Sequence, residues 1–167
     1  SHITYMNGCY RAAQCSRCNA IFAMPMPDEH TLSQFYNGFE FNCNVANNHL
    51  LENKDIVNFF KIFVKSSEAR FLDLGGGAGY FAKIFEKFNL GKSTLVEYDP
   101  NACKFAKEML GLRDVRNISL STFLDQASPN YDIVYSRHVI EHLRHPNEII
   151  DAAFRSLKPG GYFVLQC

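Results

Sequence analysis

Four glycines and two carboxylates carry the most chemistry in this 167-residue chain. Phe71-Leu72-Asp73-Leu74-Gly75-Gly76-Gly77-Ala78-Gly79 is an apolar run with one acid that then sheds its side chains. Backbone approaches a ligand closely only where side chains are absent, so Gly75, Gly76, Gly77 and Gly79 mark a binding turn. Tyr80 to Phe88 reads as a helix, and the free N–H groups at its start favour anionic ligand groups. Glu97 ends the apolar stretch Ser93-Thr94-Leu95-Val96, 22 residues after Gly75. That is near the roughly 20-residue spacing of a carboxylate that grips a ribose diol. Together these residues imply a nucleoside-containing cofactor. Two other groups are chemically competent: Cys15-Ser16-Arg17-Cys18 and His138-Val139-Ile140-Glu141-His142.

The elements that must position them alternate. Strands are expected at 70–74, 93–98, 115–120, 131–136 and 161–166. Helices are expected at 78–88, 100–110 and 146–157, with a short polar segment after 120. Such alternation implies an α/β fold with a parallel sheet covered on both faces. Ligands in such sheets bind beyond the carboxyl ends of the strands, which directs attention to 75–80, 97–99, 120–123 and 136–142. Upstream, 44–65 reads as one long, mostly buried helix. Residues 1–43 read as an irregular arm, with a stiff Met24-Pro25-Met26-Pro27 connector and a short helix from Thr31 to Asn37.

With these motifs in order, residues 44–167 resemble class I S-adenosylmethionine (SAM)-dependent methyltransferases. Asp73, Gly75, Gly77 and Gly79 match the family's Asp-x-Gly-x-Gly-x-Gly motif. Leu95 to Pro100 resembles the second strand with its ribose-holding acid, Tyr131 to Ser136 the fourth strand, and Ile140-Glu141-His142-Leu143 the loop after it. Leu157-Lys158-Pro159-Gly160-Gly161-Tyr162-Phe163 resembles the turn into the fifth strand. The resemblance implies a three-layer, Rossmann-like sandwich of strand order 3-2-1-4-5, truncated before strands 6 and 7. It implies SAM as cofactor and methyl transfer to a small-molecule or sugar-like acceptor. Asp73 would serve the ammonium of the cofactor's tail, Glu97 the ribose hydroxyls and Tyr98 the adenine face. Ser121 and Thr122 stand where the family often has an acid for the adenine amino group. Ser136, at the end of the fourth strand, is a further candidate cofactor contact, and His138 or His142 would act as base for a poorly nucleophilic acceptor.

Other readings compete. Gly77-x-Gly79-x-x-Ala82 also fits a dinucleotide fingerprint, which would make the chain an NAD-binding protein. A SAM-binding module without catalysis is a further alternative. His-x-x-Glu-His is the inverted zinc-peptidase string, but that match needs one long helix, and His145-Pro146 interrupts it. Some quinone-biosynthesis O-methyltransferases hold a divalent cation at the equivalent of Glu141-His142, with another glutamate where this chain has His138. Cys15 and Cys18 supply half of a zinc ribbon, with His2, Cys9 or Cys43 as candidates to complete it. A similar Cys-x-x-Cys arm precedes some bacterial methyltransferase domains. Phe35, Tyr36, Phe39 and Phe41 form a candidate lid. An apolar fifth strand left at the sheet edge would favour a homodimer.

Composition narrows the classes. Lysine plus arginine and aspartate plus glutamate both number 17, so the charge balance offers no nucleic-acid footprint. No apolar stretch approaches the roughly 18 residues of a membrane span. Six scattered cysteines suit a reducing cytoplasm better than a disulfide scaffold.

Overall fold

The computed structural model describes residues 4–5, 10–28, 30–31 and 53–167. The chain divides into two compact units, Ser1–Glu40 and Phe41–Cys167.

The first unit contains an antiparallel sheet of β1 (Thr4–Tyr5), β2 (Tyr10–Gln14) and β3 (Ile21–Met24), in that order. This corrects the expectation of an irregular arm. Gln14 pairs with Ile21, so Cys15 to Ala20 form the loop of a hairpin. Asn19 takes a left-handed φ of 59° there, which asparagine tolerates. Ile21, Phe22 and Met24 are exposed, so no burial alternation in the sequence marks these strands. Of the expected helix at 31–37, only Thr31 is described, and it is helical; the rest, and the aromatic lid candidates, lie outside the described residues.

The second unit opens with α1 (Lys54–Lys61), whose N-cap Asn53 accepts the Asp55 and Ile56 N–H groups through its side chain. The helix expected over 44–65 ends at Lys61, and 44–52 lie outside the described residues. Phe63 and Val64 pack against the core as non-helical chain, so their apolar character reflects burial rather than helix.

Alternation then follows. β4 (Arg70–Leu74), α2 (Tyr80–Lys87), β5 (Lys92–Glu97), α3 (Pro100–Glu108) and β6 (Val115–Asn117) come first. α4 (Leu120–Gln126), β7 (Tyr131–Arg137), α5 (Asn147–Ser156) and β8 (Leu157–Gln166) complete the described chain. The five strands are all parallel and lie in the order β6-β5-β4-β7-β8. Counted along the chain, that is third, second, first, fourth, fifth. The strand order therefore reverses between β4 and β7, which opens a crevice at their carboxyl ends.

Strand alternation splits the core into two layers. Phe71, Ile133 and Tyr135 face one side with Phe60, Phe85 and Ala106. Leu72, Leu74, Val96 and Val134 face the other with Phe123, Ile149 and Ala153. Two boundaries of the sheet strands differ from the sequence reading by more than two residues. β6 stops at Asn117, because Ser119 caps α4 by accepting the Thr122 N–H; the supposed polar segment is a helix. β8 begins at Leu157 rather than 161. Its pairing jumps from Tyr131–Leu157 to Ile133–Tyr162, so Lys158 to Gly161 bulge out of the ladder.

Candidate functional site

The glycine turn leaves β4 and is tied to β5 by the Gly75 N–H, which donates to the Val96 carbonyl at 2.8 Å. Gly79 ends the turn as the N-cap of α2, so the start of that helix faces the crevice with no capping side chain. Asp73 lies beneath the turn. It is 1% exposed, and its Oδ2 accepts the Ala82 N–H at 3.3 Å. A Cβ on Gly76 would stand 2.3–2.6 Å from the Asp73 carboxyl atoms, so Gly76 closes over the acid. Asp73 thus has almost no exposed surface to offer a ligand's ammonium, the role that the resemblance implies for it. Burial pushes the Asp73 carboxyl up to about 7; the Ala82 hydrogen bond opposes this, and the Glu97 charge adds to it. Gly77 differs from Gly76. Its φ is +55°, and nothing lies within 4 Å of a Cβ built there, so bare main chain borders open space.

Glu97 ends β5 with both carboxylate oxygens held. The Gly77 N–H donates to Oε2 and the Asp99 N–H to Oε1, each at 2.8 Å. A carboxylate oxygen accepts more than one hydrogen bond. Each therefore keeps capacity for one hydroxyl of a vicinal diol, on a carboxylate that is already oriented. Asn117 fixes the next turn by donating to the carbonyls of Glu97 and Tyr98, at 3.1 and 2.7 Å. Neither Asn117 nor Ser119 belongs to a motif of the sequence. Ser119, two residues before the hydroxyl pair Ser121-Thr122, was the readable signal of a helix cap. Tyr98 is 68% exposed, so its ring is open to a ligand. Ser121 and Thr122 are exposed on the first turn of α4, and their hydroxyls lie 2.9 and 2.8 Å from the Ser119 Oγ.

Ser136 is not a crevice residue. It has no exposed surface and donates its hydroxyl to the Leu74 carbonyl at 3.0 Å, which joins the ends of β7 and β4. The chain then turns sharply at His138, which has φ 52°, and enters a 3-10 turn at Ile140–His142. His138 and His142 are both exposed beyond the strand end. The His138 Nδ1 stands 3.1 Å from the Glu141 Oε1. The Glu141 carboxyl is held below its ordinary value, first by its own backbone N–H and then by His138. The two histidines sit on a strand exit and a three-residue turn, so the His-x-x-Glu-His string lacks the long helix of a peptidase.

In the hairpin of the first unit, Cys15 accepts hydrogen bonds from Cys18 and Arg17, and these lower its pKa. That turn offers two thiols. Among the described residues, no group of three or more His, Cys, Asp or Glu side chains could hold a metal ion. The described residues thus do not form a closed zinc site, and zinc gains no support here. His2, Cys9 and Cys43, the candidates to complete one, lie outside the described residues.

The comparisons with known proteins agree with this geometry. The methyltransferase-domain family profile matches residues 47–167. An uncharacterised methyltransferase of Mycolicibacterium vanbaalenii is 35% identical over 95 residues, which are 56% of this chain and 37% of the relative. The chain thus spans well under half the length of such curated relatives. Among solved structures, a SAM-dependent methyltransferase from Archaeoglobus fulgidus has a TM-score of 0.59 at 20% identity, over 77% of this chain and 56% of that one. The [4+2]-cyclase SpnF also has a TM-score of 0.59 at 20% identity, over 67% of this chain and 43% of its own. At such identities these likenesses show the fold alone. With the family profile across most of the sequence and the Asp73–glycine–Glu97 site at the strand ends, the chain belongs to the class I SAM-dependent methyltransferase-domain family.

Proposed function

We propose that this chain binds SAM across the ends of β4 and β5 and transfers its methyl group to a small-molecule or sugar-like acceptor. The observation that carries this reading is Glu97, clamped by two backbone N–H groups beside the bare backbone of Gly77. When bound, SAM supplies a methyl group already activated on a sulfonium, so the hard chemistry belongs to the cofactor. The residues of the chain bind, orient and exclude water. Glu97 takes the ribose diol, and Gly77 admits the cofactor's backbone-facing side. Tyr98 offers a ring to the adenine, with the Ser121 and Thr122 hydroxyls near the same edge. Asp73 contributes negative potential from beneath the turn, where Gly76 closes over it. His138 is the candidate base, with Glu141 holding its ring, and His142 is the alternative.

Further proposals rest on sequence rather than on this geometry. Residues 1–43 form a separate arm whose Cys15 and Cys18 take zinc only with ligands from outside the described residues. The chain acts in the cytoplasm, with no nucleic-acid partner. No helix among the described residues is long and apolar enough to cross a membrane. The chain pairs with a second copy along β8, the outermost strand of the described sheet.

SpnF shares the fold and is named for a cyclisation, so a SAM-binding protein without methyl transfer is the reading to beat. Incubation with methyl-labelled SAM and a panel of hydroxylated, aminated and sugar acceptors separates the two. Methyl transfer sees label move to an acceptor, with S-adenosylhomocysteine formed in equal amount. A binding module retains the nucleoside with no turnover.

A further inference from the structure

At the carboxyl ends of β7 and β8 lies a cavity of about 640 Å³. It falls within the size range of small-molecule sites. The start of α1, the end of β7 and the end of β8 border it. Its walls are mainly apolar: Ile56, Phe59, Phe60, Phe81 and Val164. Phe81 stands on α2, the helix that the glycine turn opens. Tyr135, also in the wall, pairs in register with Asp73. β7 neighbours β4 in the sheet, so the cavity opens at the same end of the sheet as the glycine turn.

The wall holds two charged side chains, Asp55 and Arg137, and neither forms a salt bridge among the described residues. Arg137 ends β7 half-buried, and its guanidinium carbon lies 5.3 Å from the centre of the Phe81 ring. Among the described residues its Nε is buried and has no hydrogen-bond partner. No salt bridge joins Arg137 to Asp55 or to any other described carboxylate. The neighbouring Tyr135 does not supply an anion. Burial, more than the Asp73 charge, pushes its hydroxyl up to about 12, and the hydroxyl donates to the Gln166 side-chain oxygen at 3.2 Å. The Nε itself is closed to solvent, so a carboxylate in the cavity meets the terminal N–H groups of the guanidinium, through two parallel hydrogen bonds. A single guanidinium also matches the single charge of a carboxylate better than a phosphate dianion.

Resting on the methyl-transfer reading above, we infer that Arg137 is a specificity residue for the acceptor, and that the acceptor is a flat, largely apolar carboxylate. Its carboxylate meets the guanidinium, and its ring lies against Phe59 and Phe81. Arg137 touches the substrate without taking part in bond making.

The test uses 4-hydroxybenzoate and its uncharged analogue 4-hydroxybenzamide, titrated by calorimetry into the full chain saturated with S-adenosylhomocysteine. The parent binds the acid at least about tenfold more tightly than the amide. Arg137→Gln binds both equally weakly while keeping its melting temperature and its S-adenosylhomocysteine affinity. Arg137→Lys recovers only part of the preference, because an ammonium lacks the planar fork. Equal binding of acid and amide by the parent overturns the inference, as does failure to bind either. Loss of S-adenosylhomocysteine binding in Arg137→Gln also overturns it, by assigning the guanidinium to the cofactor's own carboxylate. A parent that does not bind S-adenosylhomocysteine at all defeats the methyl-transfer reading itself.

Discussion

Asp73 shows how one residue serves fold and site in opposite senses. In sequence it was legible as an acid at a strand end, an odd occupant of an apolar run. Its depth was not legible, because that depends on Gly76 folding back over it. Its folded-state carboxyl titrates near 7, above an unfolded value of about 4. The folded chain therefore holds the proton more tightly between those values, and stability falls as pH rises from about 4 to about 7. At about 1.4 kcal/mol per unit, the ionised acid costs the fold on the order of 4 kcal/mol above that window. Asp73→Asn keeps an acceptor for the Ala82 N–H and removes the charge. Denaturant melts should place variant and parent within about 1 kcal/mol of each other at pH 4. At pH 8 the variant should be the more stable by about 2–4 kcal/mol. A constant difference across pH would mean that Asp73 is not buried as a charge. Arg137 marks the limit of sequence reading at this scale. Its type was visible, but its missing partner depends on what α1 and α2 bring to the end of β7.

At the scale of elements, the glycine turn divides its labour between adjacent residues. Gly76 leaves no room for a Cβ against Asp73, whereas Gly77 faces open space with a left-handed φ. Gly76→Ala should therefore act on stability, lowering it by roughly 1–3 kcal/mol through overpacking. Gly77→Ala carries only the left-handed backbone cost of about 1–2 kcal/mol, but its methyl group enters the crevice. Nucleoside titrations should find binding lost in Gly77→Ala, and urea melts should show only a modest loss of stability. Equal binding by Gly77→Ala and parent would move the ligand away from this turn. The strands behind the turn were readable because buried parallel strands are continuous apolar runs bounded by turn residues. The β2–β3 hairpin was not, because its side chains leave no pattern of burial. The first turn of α4 was misread because Ser119, Ser121 and Thr122 look like loop until one hydroxyl caps the helix.

At the scale of the molecule, the second unit is a sheet with helices on both faces, and Phe60 binds α1 to it. Its ring meets Phe71, Phe81, Phe85 and Tyr135 at centroid distances of 5.1–6.3 Å. Phe60→Ala should cost about 3–5 kcal/mol in chemical denaturation. It should also disturb the Arg137 cavity, whose wall it shares, before it disturbs Glu97. A loss below 1 kcal/mol would place α1 outside the cooperative fold. A parallel sheet covered on both faces follows from the alternation of apolar runs, whereas the strand order is what the family resemblance implies. The cavity follows from neither, because α1, β7 and β8 meet only in three dimensions. The central claim is that a SAM-type nucleoside lies on Gly77 with its sugar held by Glu97. A thermal melt with and without S-adenosylhomocysteine, on the parent and on Glu97→Ala, tests it most directly. At a ligand concentration of about 100 times Kd the parent should gain about 2.7 kcal/mol. That corresponds to a melting-temperature rise of roughly 5–10 °C for a chain of this size. Glu97→Ala should melt as a folded protein with little or none of that rise; an unshifted parent, or an equal rise in both proteins, would contradict the account.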